Sequence, residues 1–121
     1  MRSGYKKRLG DYGEELALRA YQRAGYLLLD RQYRCFLGEI DLIFRKGDLL
    51  YFVEVRTKTS QSFGTPLESI TKQKSKRIRR VSEWYMLQKG LTCLQPQYDL
   101  VTVQIDKREK RAWLKRLANV L

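Results

Sequence analysis

Asp41 and Glu54 are the residues of this chain best placed to do chemistry, with Arg56 the cation just beyond them. They stand in GEID at 38–41 and FVEVR at 52–56, two strand-like segments joined by Arg45-Lys46-Gly47-Asp48. A Gly-Asp pair between apolar runs is a short hairpin signal. With Gly47-Asp48 as the turn, Lys46 pairs with Leu49, Phe44 with Tyr51, Leu42 with Val53 and Ile40 with Val55 on one face. On the other face Ile43 pairs with Phe52, Asp41 with Glu54 and Glu39 with Arg56. Side chains directly opposed on an antiparallel pair have Cβ atoms roughly 4.5–5.5 Å apart. Two carboxylates at that spacing repel unless a cation sits between them, so the register predicts a divalent-metal site. Alternating charged and apolar residues also read as a half-solvated sheet. Ile43 and Phe52 weigh against that, because they put the acids at the rim of a core, where a buried carboxylate needs a partner or a metal.

The rest of the composition narrows the chemistry. The 121 residues contain no histidine, which excludes Ser-His and Cys-His nucleophilic chemistry and His-ligated zinc. The two cysteines, Cys35 and Cys93, are too isolated for a zinc site or a disulfide framework. Oxygen ligands remain, and these suit Mg²⁺ or Mn²⁺. Against 13 acidic residues stand 25 Lys and Arg, a net charge of +12. Such an excess favours a polyanionic partner, nucleic acid before an anionic membrane surface. No apolar run is long enough to span a bilayer and no signal-peptide pattern opens the chain, so a cytoplasmic protein without a membrane partner is expected.

The length fits one domain, 1–121, with residues 1–8 expected as a loose basic arm. Leu9, Gly13, Leu16, Ala17, Ala20 and Ala24 recur at helical spacing up to a stop at Gly25. Tyr26–Arg34 reads as a strand, followed by the hairpin strands Leu37–Arg45 and Leu49–Lys58. Residues 59–69 are rich in Ser, Thr, Gly and Pro and read as a loop, either a flap over the acids or a plain connector. Thr71 caps a second helix running to Lys89, stopped by Gly90, with Ile78, Val81 and Tyr85 as its core stripe. Strands Tyr98–Ile105 and Ala112–Leu117 complete the order α-β-β-β-α-β-β, an α/β domain with a mixed sheet. The second helix opens with Lys72, Lys74, Lys76, Arg77, Arg79 and Arg80. Cations there oppose the helix macrodipole, so they are expected to meet an anion, with nucleic-acid phosphates the natural candidate and a solvated face the bland alternative.

The run GEIDLIFRKGDLLYFVEVRTKTSQSFGTPLESITKQK resembles the central block of the bacterial YraN family. GDYGEELALRAYQRAGYLLLDRQYR resembles that family's opening helix and first strand. The resemblance covers roughly residues 10–105 and implies a restriction-endonuclease-like fold, similar to that of archaeal Holliday-junction resolvases. Nucleases of that fold carry an Asp, then a Glu, any residue and a Lys on the next strand. Asp41 and Glu54 match the acids, whereas Arg56 stands at the lysine position. Glu14 matches the helix glutamate that helps order metal-bound water in resolvase-like members, and Gln73 and Lys74 match a recurring helix segment.

The expected chemistry is phosphodiester hydrolysis, with DNA, perhaps branched DNA, as substrate. Asp41, Glu54 and the Val55 carbonyl would hold the metal, and Arg56 would clamp a nonbridging phosphate oxygen. Arginine cannot act as a general base, so Lys58, on the same face, is a candidate helper. A non-catalytic nucleic-acid-binding protein that keeps the nuclease fold is the competing reading. The resolvase likeness implies a homodimer, since a four-way junction is two-fold symmetric, although no segment marks a dimer face.

Overall fold

The computed structural model describes residues 4–59 and 71–121, with side chains from Lys7 onward. The first helix, α1, spans Gly4–Arg23 and so starts earlier than the apolar stripe. Residues 4–8 are therefore its first turns rather than a loose arm. Lys and Arg are good helix formers and let the helix extend beyond its apolar face. Gly25, at φ 90°, ends it.

Three strands follow: β1 Leu27–Cys35, β2 Gly38–Lys46 and β3 Leu49–Thr59. Helix α2, Lys72–Lys89, leads to β4, Gln95–Asp106, and β5, Arg111–Leu117. The loop read over 59–69, and the flap with it, lies outside the described residues except for Thr59, which ends β3. The sheet order is β1-β2-β3-β4-β5. Only β3 and β4 pair in parallel, and α2 lies in the connection between them; the other neighbours are antiparallel. This is the expected α/β order with a mixed sheet.

Local chemistry sets α2 at both ends. The Thr71 hydroxyl accepts the Lys74 N–H at 3.1 Å. Gly90 takes the left-handed conformation at φ 66°, where a side chain would be strained. Ile78, Val81 and Tyr85 bury against Ile43, Leu50, Phe52 and Leu100. On the opposite face, Ala17, Leu18 and Tyr21 of α1 bury against Leu42, Phe44, Val53 and Val101. The sheet is thus covered by one helix on each side. Among the described residues, no helix is long and apolar enough to cross a membrane.

The face of α1 reaches β3 through a close approach. A Cβ on Gly13 would lie 1.9 Å from the Thr57 hydroxyl oxygen. Glycine at this position brings the next residue, Glu14, down to the end of the sheet.

A second fastening lies at the far side. Asp99 of β4 is fully buried. It accepts hydrogen bonds from the Tyr21 hydroxyl at 2.8 Å, from Arg116 Nε at 2.9 Å and from the Asn119 N–H at 2.9 Å. The Arg116 guanidinium lies 5.0–5.3 Å from the ring centres of Tyr21, Tyr26 and Tyr51. Nothing in the residue pattern marked this cluster: Asp99 stands in an apolar strand, and its side-chain partners are remote in sequence.

Candidate active site

The β2–β3 register runs from Lys46–Leu49 through Phe44–Tyr51 and Ile43–Phe52 to Leu42–Val53, as the Gly47-Asp48 turn predicts. Beyond Val53 the pairing changes character. The Val55 N–H donates to the Asp41 carboxylate at 2.8 Å instead of to a main-chain carbonyl. In a strand, the N–H and C=O of one residue point to the same side, so the Val55 carbonyl also faces the β2 side.

This change revises two expected pairings. Ile40 does not share a face with Leu42 but joins Ile43 on the α2 side. On β1, the register passes from Arg31–Leu42 to Tyr33–Ile40 around Gln32, whose φ is 50°. A residue in that left-handed conformation interrupts the alternation that regular strand geometry imposes. Glu39, in turn, does not meet Arg56. It pairs with Arg34 across β1 at 3.0 Å, while Arg56 turns toward Glu54 at 3.7 Å.

Asp41 sits between two recesses. One, of about 350 Å³, lies toward α2 and is bordered by Asp41, Glu54, Glu39, Lys74 and Arg77. The other, of about 430 Å³, lies toward α1 and is bordered by Asp41, Glu14, Asp11, Lys7 and Val55. The acids expected to act together do converge here, from two strands and a helix.

Burial first, then the neighbouring Glu54, Glu14 and Glu39, push the Asp41 carboxyl up to about 7 against the opposing Val55 N–H. Burial also raises Glu54, against the pull of Arg56 and a hydrogen bond shared with Asp41. Such a pair titrates as a unit and holds a proton more readily than two solvated carboxyls. Glu14 is raised by burial as well, although Gln32 and Arg31 draw it down. Its Oε1 is buried without a hydrogen-bond partner among the described residues, with the Arg31 guanidinium 3.8 Å away.

The basic residues and Gln73 are placed differently from one another. Lys74 reaches from α2 to Glu54, with Nζ 2.9 Å from Oε1, closer than Arg56. Arg79 belongs to the core's edge: it donates to the Leu121 carbonyl at 2.6 Å and lies 4.5 Å from the Tyr98 ring centre. Gln73, Lys76, Arg77 and Arg80 border an outer groove with Leu37. Lys72 is exposed at the start of α2, and Lys58 stands near the end of β3, opposite Gln104. Two of the six helix cations are thus engaged inside the molecule, Lys74 by a carboxylate and Arg79 by a carbonyl and a ring.

Among the described residues, no three His, Cys, Asp or Glu side chains are gathered to hold an ion. The donors are two carboxylates and a main-chain carbonyl, all hard oxygens suited to Mg²⁺ or Mn²⁺. Glu14 Oε1, without a hydrogen bond among the described residues and 3.8 Å from Arg31, borders the same cleft.

Known proteins share this arrangement's sequence. A UPF0102 protein of Moorella thermoacetica is 41% identical over 107 residues, covering 88% of this chain and 89% of that protein. One of Alkaliphilus metalliredigens is 41% identical over 104 residues, covering 86% and 91%. One of Kineococcus radiotolerans is 42% identical over 104 residues, covering 85% of each. The family described as "Uncharacterised protein family UPF0102" matches residues 13–103, which include Glu14, Asp41, Glu54, Lys74 and Arg77. With Glu14, Asp41 and Glu54 all inside that match, the chain belongs to UPF0102, the family to which its YraN-like motifs pointed.

Proposed function

We propose that this chain is a Mg²⁺- or Mn²⁺-dependent endonuclease that hydrolyses phosphodiester bonds in nucleic acid, with DNA the favoured substrate. The observation that carries the reading is the placement of Asp41 and Glu54. They stand half-buried side by side where β2 and β3 part, with Lys74 against one of them. Structural acids deep in a sheet are usually neutralised by cations packed around them. Here Asp41 has a main-chain N–H and three neighbouring carboxylates.

Asp41, Glu54 and the Val55 carbonyl would hold the metal. When bound, it would lower the pKa of a water and neutralise charge on the scissile phosphate. Glu14 would accept a hydrogen bond from that water through its free oxygen. Arg56 stays protonated and would hold a nonbridging phosphate oxygen. Lys74 would take the part of the lysine that the superfamily pattern has on β3. Its ammonium pairs with Glu54 at 2.9 Å and would reach a phosphate from the same recess.

The second reading, a non-catalytic nucleic-acid-binding protein, draws on Glu54 being engaged by both Lys74 and Arg56. Cleavage of a panel of duplex, flap and four-way DNA with Mg²⁺ or Mn²⁺ separates the two. Hydrolysis that Asp41→Ala abolishes supports the nuclease. Tight binding with no hydrolysis in either protein supports the binding module.

A further inference from the structure

Phe36 and Leu37 form the two-residue turn between β1 and β2, where Gly, Asn, Asp and Pro are the usual residues. Phe36 is 75% exposed. Its ring meets Trp84 of α2 edge to face, with centroids 4.8 Å apart and an interplanar angle of 87°. Trp84 in turn stands near the Tyr33 hydroxyl. Gly38 seats the turn on the helix. A Cβ there would lie 3.1 Å from the Arg77 side chain and 3.2 Å from Val81. The aromatic pair is therefore held in place while one of its rings faces outward.

The surface beside it is cationic. Arg80 and Arg77 precede Trp84 by four and seven residues, so they continue its row along α2. They border the outer groove with Leu37. Arg77 also borders the recess that holds Asp41 and Glu54. Leu37, the neighbour of the exposed ring, thus shares the outer groove with both guanidinium groups, and Arg77 links that groove to the half-buried acids.

The geometry points to a base-stacking platform: Phe36 and Trp84 receive an unpaired base from a strand whose phosphates follow Arg80 and Arg77 to the carboxylate cleft. This rests on the nucleic-acid reading above and names its substrate class. The target carries an unpaired nucleotide beside the bond at the cleft, as a fork, flap or junction does. An aromatic face accepts any base, but a base inside a duplex is already stacked and gives up that stacking to reach it. A second copy of the chain is the poorer occupant, because both copies carry the +12 charge and would meet arginine to arginine.

The test uses full-length protein in EDTA, so that binding is read without cleavage. The probe is a forked DNA with 2-aminopurine in its unpaired arm, compared with a blunt duplex. Wild type is expected to bind the fork and change the 2-aminopurine fluorescence by stacking. Phe36→Ala should lose that change and bind the fork about tenfold more weakly, with duplex affinity unchanged. Phe36→Tyr should retain both. Phe36 is a surface residue, and an unchanged melting temperature confirms that the alanine variant folds. Wild-type fluorescence and affinity in Phe36→Ala would overturn the platform, as would equal losses on fork and duplex. So would a change in sedimentation with fork binding intact, which would make the patch a contact between copies. A Phe36-dependent signal in a protein that never cleaves DNA with metal overturns the hydrolysis alone and leaves the platform standing.

Discussion

Arg56 and Lys74 both approach Glu54, yet only one of them can give up a proton. If Lys74 takes the part of the missing strand lysine, Lys74→Ala should lower the cleavage rate by about 100-fold, in the range for losing one transition-state donor. Arg56→Lys should stay within about tenfold, because a charge is kept at the phosphate. Single-turnover rates at saturating metal check both. Asp41 carries a separate, thermodynamic signature. Its ordinary value is 3.8, and in the fold it rises to about 7. The folded state therefore holds a proton that the unfolded chain has released, and stability falls as pH rises from about 4 to 7. Asp41→Asn removes the charge but still offers an oxygen to the Val55 N–H. It should raise metal-free stability by roughly 1–3 kcal/mol at about pH 8 and by little at about pH 4, as read by urea melts. The acids were legible from residue type and turn position, although the β2–β3 ladder ends at Leu42–Val53 and does not carry the expected Asp41–Glu54 pair. The nearest cation was not, because Lys74 comes from a helix whose docking on β3 leaves no local mark in the chain.

At the scale of elements, the helix α2 separates what its sequence presents as one basic block. Arg79 is tied to Leu121, whereas Lys72, Lys76 and Arg80 remain exposed. Replacing those three with Gln should flatten the dependence of log K on log salt by about one unit per lost phosphate contact. Arg79→Gln should leave the slope unchanged and lower the melting temperature instead. Fluorescence anisotropy across a salt series distinguishes the two. The helix ends were legible because caps are local: Thr71 and Gly90 act within a few residues. The hairpin register was legible for the same reason. Period-two reasoning held from Lys46 to Leu42 and failed at Ile40, because it assumes an uninterrupted ladder, whereas the β2–β3 pairing ends at Leu42–Val53. Beyond that end Glu39 pairs with Arg34 rather than with Arg56.

For the molecule as a whole, the outer strand β5 is held by the buried Asp99 network as well as by its ladder with β4. Removing one member of a buried, hydrogen-bonded ion pair leaves the other uncompensated, so Asp99→Ala should cost about 3–5 kcal/mol. Tyr21→Phe removes a single hydrogen bond and should cost about 1 kcal/mol. Chemical denaturation at neutral pH measures both, and metal affinity should be unaffected in Tyr21→Phe because the cluster stands apart from the acidic cleft. The general order of helices and strands was readable from periodicity and turn residues. The network was not, since Tyr21 and Asp99 are 78 positions apart and meet only once α1 lies on the sheet.

The bond from the Val55 N–H to Asp41 makes one backbone amide a resident reporter of the cleft. Its proton is held by a titrating side chain, whereas its neighbours along a ladder are held by carbonyls that never change charge. In a ¹⁵N spectrum, that single resonance should move as the Asp41–Glu54 pair takes up or releases its proton, and move again when a cation draws the carboxylate away. Occupancy of the site can then be followed on the unmodified chain, with no substrate and no label beyond nitrogen.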